Sequence, residues 1–249
     1  MDEFYIGYQP SAPAGIRRRV RLFVLLAVLL TVGGAALFAI SQRGFANSAF
    51  EYGRLSQFSG TLTLRPFPVL VTDRSGDANV ADSTFLLCAP GKFGANSLLL
   101  GQQAKHVRIT GTLIHRAEGQ MIEVQPGSLS NLPDTTAPQS PLKNLGQVTL
   151  TGEVVDTKCY LGVMNPGEGK VHRDCAARCL SGGIPAALVS SDLDGTSRLY
   201  LLLGDSGEPL PKADFQQSVA RPVAITGQVF ESQGLYYLST SAANIENLP

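Results

Sequence analysis

The chain has 249 residues and a mass of 26.4 kDa, enough for one large domain or two small ones. Twenty Lys and Arg balance twenty Asp and Glu, and only 16% of residues are charged, which excludes a strongly basic nucleic-acid-binding protein. The 26 Gly and 15 Pro, without any Trp, indicate a chain rich in β-structure and turns. Four Cys are too few for a disulfide scaffold but enough for two bridges or one metal site.

An uncharged run of 19 residues, LFVLLAVLLTVGGAALFAI, occupies positions 22–40. As a helix it would span about 28 Å, close to the hydrocarbon thickness of a bilayer. Four arginines within positions 17–21 precede it, and only Arg43 follows closely. The positive-inside rule therefore predicts a single transmembrane helix, with residues 1–21 as a cytoplasmic tail and extracytoplasmic C-terminal domains.

The alternative for this segment is a cleaved signal peptide, because Ala46-Asn47-Ser48 could serve as a cleavage site. The apolar run exceeds the usual h-region of about 7–15 residues, which favours a retained anchor. The small residues from Gly33 to Ala36 could pack against a second membrane helix, so we expect other membrane-protein subunits as partners. After position 43 the net charge is −3, which gives no electrostatic support for binding nucleic acid.

Beyond the anchor, apolar and polar residues alternate as in β-strands, and the pattern occurs twice. The segment 106–124 (HVRITGTLIHRAEGQMIEV) is repeated 116 positions later, as are the two Asn-Leu-Pro triplets at 131–133 and 247–249. This internal repeat predicts two domains of one design. The residues expected to face inward are Val107, Ile109, Gly111 and Leu113 in the first copy, and Val223, Ile225, Gly227 and Val229 in the second.

An earlier strand also recurs, as FSGTLTL around Gly60 and LTGEVVD around Gly152. A mid-strand glycine normally weakens a sheet, so its recurrence predicts strands bent to close a small barrel. About five strands per copy, with a short helical piece at 212–219 in the second, predict a mainly β protein with two tandem OB-like barrels; a pair of β-sandwiches is the alternative. The domains are expected at 50–133 and 147–249, joined by a Pro-rich linker at 126–146 that overlaps the end of the first barrel.

The second copy is longer by about 24 residues because of an insertion at 159–183. It contains the pattern Cys159-x12-His172-x2-Cys175-x3-Cys179, followed by Gly182-Gly183. A helical turn over 174–180 would place the last two cysteines on one face, with the histidine beside them. Three thiolates and one imidazole form a ligand set suited to zinc, and also to copper or iron.

Two other uses of these cysteines remain open. In an oxidising compartment, Cys159 could form a disulfide with Cys175 or Cys179 and pin the insertion to its strand. Alternatively, the thiols could be redox-active, with His172 or a helix N-terminus lowering one thiol pKa. Cys88 is predicted on a strand, either as a buried free thiol or as the partner of the cysteine left over.

Residues 151–189 resemble a motif of an uncharacterised family of exported or membrane-anchored bacterial proteins. The shared features are a Gly-x-Val-Val-Asp strand, Cys-Tyr, the His-x2-Cys-x3-Cys segment, Gly-Gly and a short apolar strand. The resemblance covers about 39 residues of the second barrel only. Together with the apolar helix, it implies a location in the cytoplasmic (inner) membrane of a bacterium, with the C-terminal domains in the periplasm. It also implies a common role for the cysteines and the histidine, but no activity.

Other titratable residues give weaker signals. His106 and His115 would lie on opposite faces of one strand and are expected at the surface. Asp192, Asp194 and Asp205 fit turns better than a calcium site. No phosphate loop, dinucleotide fingerprint or nucleophile elbow occurs in the sequence, so no catalytic or cofactor-binding residue is predicted.

These features favour a membrane-anchored extracytoplasmic binding or accessory subunit over an enzyme, for example in a respiratory or redox membrane complex. The Cys/His insertion would then be a metal-binding or a disulfide-stapled element. The alternative is a thiol- or metal-dependent redox protein that uses the same cysteines and histidine.

Overall fold

The computed structural model describes residues 11–42, 47–72, 84–102, 105–133, 141–191 and 196–249. The chain divides into two compact units, Met1–Phe45 and Ala46–Pro249. The predicted linker at 126–146 lies partly outside the described residues, and its described ends already carry strand residues.

The N-terminal unit contains the helix α1, Ala14–Ser41, which includes the whole predicted span 22–40. Leu, Val, Ala and Arg all have favourable or tolerated helix propensities, and Pro13 stands at the position before the first helical residue. Within the described residues, α1 is the one helix long and apolar enough to cross a membrane, and a signal sequence has the same properties.

The first barrel occupies the beginning of the second unit. Its strands are β1 (Ala49–Phe50), β2 (Ser56–Thr63), β3 (Val69–Thr72), β4 (Thr84–Ala89), β5 (Phe93–Gly94), β6 (Lys105–Arg116), β7 (Gly119–Val124) and β8 (Ser130–Asn131). Five of them close in the order β2-β3-β4-β7-β6 and back to β2. The β4–β7 pair is parallel, and the other four pairs are antiparallel.

The second barrel repeats this order with longer connections. Its elements are β9 (Lys143–Asp156), α2 (Arg173–Ser181), β10 (Ala186–Ser191), β11 (Ser197–Leu203), α3 (Lys212–Phe215), β12 (Pro222–Ser232), β13 (Leu235–Ser239) and β14 (Ile245–Asn247). The closed order is β9-β10-β11-β13-β12 and back to β9, with β11–β13 as the parallel pair. A π-helical turn at Cys159–Val163 and single 3-10 turns at Lys170–His172, Gln216–Ser218 and Ala242–Asn244 complete it.

The repeat predicted from sequence is therefore present in the fold. The two Asn-Leu-Pro segments occupy equivalent places, since Leu132 N donates to His106 O and Leu248 N to Pro222 O, both at 2.9 Å. The alternative of two β-sandwiches is wrong, because each sheet closes on itself. The short helical piece expected at 212–219 is confirmed as α3 and the turn that follows it.

The recurring glycines allow this closure. A Cβ atom on Gly60 would overlap the carbonyl oxygen of Val71, and one on Gly152 would overlap that of Val189. These oxygens belong to the neighbouring strands β3 and β10, which cross close to the bent strands β2 and β9. Only glycine permits such an approach at the bend, as the repeated pattern predicted.

The four inward-facing residues predicted for the first barrel lie on its inner face. Val107, Ile109 and Gly111 are buried, and the partly buried Leu113 packs against the same inner cluster as Val107 and Ile109. On the opposite face of β6, Thr112 and Ile114 are buried as well. In the second copy all four predicted positions, Val223, Ile225, Gly227 and Val229, are buried.

The burial of both faces at this end of β6 has a structural reason: the two barrels share a core. Ile114 and Met121 of the first barrel belong to the same buried cluster as Val155, Tyr160 and Leu161 of the second. Each barrel also has an apolar cluster of its own. Residues on the outer face of the first barrel are therefore buried against the second, which places the insertion between the two.

Candidate functional site

Three cysteines of the insertion converge where the barrels meet. Cys159 begins the π-helical turn after β9, and Cys175 and Cys179 lie one turn apart on α2. Cys159 Sγ is 3.9 Å from Cys175 Sγ and 3.8 Å from Cys179 Sγ. The predicted helical turn over 174–180 is confirmed as part of α2. The chain also folds back near Gly167, since a Cβ on this residue would overlap the carbonyl oxygen of Cys159.

His172 joins the cluster through a buried carboxylate. Its Nε2 lies 2.9 Å from Asp156 Oδ2, and the side chains of both residues are almost completely inaccessible to solvent. The other oxygen of Asp156 accepts a hydrogen bond of 2.8 Å from the backbone N–H of Cys159. Asp156 therefore fixes both the imidazole ring and the backbone that carries the central thiol. Sequence analysis missed Asp156, although it stands three residues before the cysteine at the end of a strand.

The first barrel contributes a cation that the sequence did not reveal. Lys92, in the turn between β4 and β5, donates from Nζ to Cys175 Sγ at 2.8 Å and lies 3.7 Å from Cys179 Sγ. The hydrogen bond to Cys175 raises the pKa of Lys92, so this side chain is an ammonium ion at neutral pH.

The Gly182-Gly183 pair brings this turn to the cluster. Gly94 N donates to Gly182 O at 2.9 Å, and a Cβ on Gly182 would overlap the carbonyl oxygen of Lys92. Gly183 has a φ of +91°, a conformation that favours glycine. The glycines after the cysteine helix thus allow the backbone of the first barrel to contact the second.

The central thiol and one helix thiol have opposite pKa shifts. The hydrogen bond to Cys179, together with burial, raises the pKa of Cys159. The same hydrogen bond, with help from the nearby Lys92 ammonium, lowers the pKa of Cys179. Of this pair, Cys179 is therefore the sulfur that more readily becomes a thiolate.

A second lysine, Lys158, locks the barrels together beside the site. Its side chain is only 2% exposed, and its Nζ donates to Ala89 O at 2.8 Å and to Gly91 O at 2.7 Å. It also forms an ion pair with the carboxylate of Glu123. All three acceptors belong to the first barrel. Two of them, the carbonyl groups of Ala89 and Gly91, shortly precede Lys92 in the chain. Lys158 therefore holds the position of the turn that contains Lys92.

Cys88 belongs to neither group of potential metal ligands, although it is buried in the same apolar core as Cys159 and Cys179. It is a fully buried free thiol on β4, as one of the two sequence alternatives proposed, and burial raises its pKa to about 12. The other three cysteines are also free thiols. The sulfur separations of 3.8 and 3.9 Å exceed the covalent S–S length of about 2.05 Å.

The remaining sequence candidates lie elsewhere. His106 Nδ1 is 2.8 Å from Pro133 O, and the partly exposed His115 lies 3.8 Å from Glu51. Asp205 belongs to a turn, in which Gly207 N donates to Gly204 O. Asp192 and Asp194 lie outside the described residues.

The cluster can hold a metal ion in two overlapping ways. The ligand atoms of Cys159, His172 and Cys175 lie within 4.8 Å of one another, and so do those of Asp156, Cys159 and Cys179. Metal–sulfur bonds of about 2.3 Å in a tetrahedron separate the sulfurs by about 3.8 Å, which matches both observed separations. Among the described residues, however, no single such group contains all four predicted ligands.

The chain was compared with protein families, curated proteins and solved structures. It matches no family model, and neither the curated proteins nor the solved structures contain a significant match.

Proposed function

We propose that this protein is a membrane-anchored extracytoplasmic binding protein whose Cys/His cluster takes one soft metal ion, zinc or copper(I). The observation that carries the proposal is the position of Cys159, with two further thiols at 3.8 and 3.9 Å and a buried imidazole beside it. Thiolate and imidazole ligands suit both metals. The Asp156–His172 hydrogen bond supports it, because metal-binding histidines commonly donate their other ring nitrogen to a carboxylate.

Three of the four predicted ligands lie close enough together to bind one metal ion. Cys159, His172 and Cys175 form the set with two soft sulfurs and an imidazole. We infer that the fourth position on the metal is open to a further ligand. Three protein ligands and an open position are typical of sites where the metal is used or transferred, whereas structural zinc sites are closed by four. The proposal is therefore a functional metal site, not a structural staple.

The barrels supply a rigid scaffold for this site. We assign them to the OB-like class, a proposal supported by the order β9-β10-β11-β13-β12 and by the parallel pair that closes the barrel. Barrels of this class usually bind ligands through loops and one strand face. The Cys/His insertion follows the first strand of the second barrel and replaces such a binding loop.

For the location, we propose that α1 is a single-pass anchor in the inner membrane of a bacterium and that both barrels are periplasmic. The arginines before the apolar span and its length support this topology. The small residues Gly33 and Gly34 would contact a helix of another membrane protein, so the protein would serve as an accessory subunit of a respiratory or redox complex.

The metal proposal is tested by titration of the full-length protein in mild detergent. After reduction and removal of metals, Zn²⁺ or Cu(I) is added against a competing chelator, and bound metal is measured by elemental mass spectrometry. We expect one ion per chain, and a loss of binding of about 10- to 100-fold or more when Cys159→Ser or His172→Ala removes a ligand. Cys88→Ala is the matched control, because this buried thiol lies outside the cluster, and it should bind metal normally. Equal binding by Cys159→Ser would contradict the proposal.

The subunit proposal has its own test. The protein is extracted from its native membranes in mild detergent and run under native conditions. Co-migration with an assembly larger than 26.4 kDa plus detergent supports an accessory role. A lone monomer under the mildest conditions would contradict it.

A further inference from the structure

We propose that the metal-free cluster also performs thiol–disulfide exchange, in which Cys175 attacks a disulfide substrate and Cys159 resolves the mixed disulfide. This activity is distinct from metal binding and does not depend on it. The observations that carry it are the different exposure of the three thiols, their separations and the position of Lys92.

The thiols differ in access to solvent. Cys159 and Cys179 are 2% and 1% exposed, whereas Cys175 is only partly buried. An incoming disulfide can therefore reach Cys175 first. Thiol–disulfide exchange requires an accessible attacking sulfur and a second sulfur close behind it. Cys159 meets the second requirement from the π-helical turn, because its Sγ is 3.9 Å from Cys175 Sγ. Formation of the bond would require an approach of about 1.9 Å.

Lys92 supplies the charge that such a reaction needs. Its ammonium group donates to Cys175 Sγ at 2.8 Å, so it stabilises negative charge on the attacking sulfur. The side chain comes from the other barrel and is held there by the contacts of its turn with Gly182 and Lys158.

The sulfur of Cys175, as thiolate, attacks one sulfur of a disulfide R–S–S–R; the S–S bond breaks, one R–S⁻ leaves and takes up a proton, and Cys175–S–S–R forms. Cys159 then loses its proton and attacks the Cys175 sulfur, which releases the second R–S⁻. The two protein thiols are oxidised by two electrons to a Cys159–Cys175 disulfide, and the substrate is reduced to two thiols.

The test uses the reduced, metal-stripped, full-length protein in mild detergent with oxidised glutathione as the disulfide. Released glutathione is quantified, and the disulfides are mapped by peptide mass spectrometry. We expect a Cys159–Cys175 disulfide in the wild type and in the Cys88→Ala control. Cys159→Ser should stop at a glutathione mixed disulfide on Cys175. A mixed disulfide on another cysteine, or a wild-type protein without the Cys159–Cys175 bond, would overturn the proposal.

Lys92 variants test the same step without removing a thiol. Lys92→Met should slow formation of the mixed disulfide on Cys175 about tenfold, because a charge-assisted hydrogen bond is lost. Lys92→Arg should retain most of the rate, since it keeps the positive charge. Equal rates for Lys92→Met and the wild type would overturn the role of this lysine.

The two proposals fail in different ways. Exchange without stoichiometric metal binding would refute the metal site and leave the exchange activity standing. If the protein binds one metal ion but the metal-stripped protein performs no thiol–disulfide exchange, the exchange activity is refuted and the metal site stands.

Discussion

The buried Lys158 offers the sharpest prediction about stability. Its ammonium group satisfies two carbonyl oxygens, of Ala89 and Gly91, and pairs with the Glu123 carboxylate, whose side chain is 17% exposed. Lys158→Met keeps most of the volume but leaves these three acceptors without their donor. Breaking a buried ion pair from one side typically costs about 3–5 kcal/mol of the free energy of unfolding. For a protein of this size, that loss corresponds to a fall in Tm of about 6–20 °C.

The assay is thermal unfolding of the full-length protein in mild detergent. Lys143→Met is the matched control, because Lys143 is exposed and its replacement should change the free energy of unfolding by less than about 0.5 kcal/mol. The double variant Lys158→Met with Glu123→Gln should recover part of the loss, since no unpaired carboxylate stays behind. If the Tm of Lys158→Met lies within about 2 °C of the Tm of the control, the claim that this ion pair holds the barrels together is refuted.

Three further predictions follow from the fold and the pKa shifts. Gly152→Ala should lower the free energy of unfolding in urea by about 1–3 kcal/mol or more, because the new Cβ overlaps the Val189 carbonyl oxygen. Gly204→Ala is the control and should be nearly neutral, because the nearest atom to its Cβ is 3.8 Å away. Equal losses in the two variants would contradict the requirement for glycine at position 152. Burial raises the pKa of Cys88 from 9.0 to about 12, so the unfolded chain loses this proton first and the free energy of unfolding falls as the pH rises through this window. Cys88→Ala should make that fall shallower in urea titrations at successive pH values, and an unchanged slope would contradict it. Deletion of residues 14–41 should release the protein from membranes into the soluble fraction, and a deletion variant that still needs detergent would refute the anchor.

The two closed barrels were predicted correctly because the pattern of alternating strands with a mid-strand glycine occurs twice in the sequence. The strands around Gly60 and Gly152 each place a glycine where the neighbouring strand approaches closely, and this recurrence predicted closure into a barrel. The burial of Ile114 was not predicted, because this residue faces the second barrel and the docking of two domains is not encoded in the alternation of one strand.

The proximity of the cysteines and His172 was predicted from their spacing, because a helix places residues four positions apart on one face. The structure brings these side chains together. The contributions of Lys92, Lys158 and Asp156 were missed. Lys92 is far away in sequence and reaches the site only through the contact between the barrels, and a lysine as deeply buried as Lys158 is rare.

The measurement that tests the central claim most directly is X-ray absorption spectroscopy of the full-length protein loaded with one equivalent of zinc. The account predicts a mixed shell with at least two sulfur ligands at about 2.3 Å and a nitrogen ligand at about 2.0 Å. In the Cys159→Ser variant the sulfur contribution should fall. A shell of oxygen and nitrogen alone, or a sulfur count that is the same in both proteins, would contradict a metal site centred on Cys159.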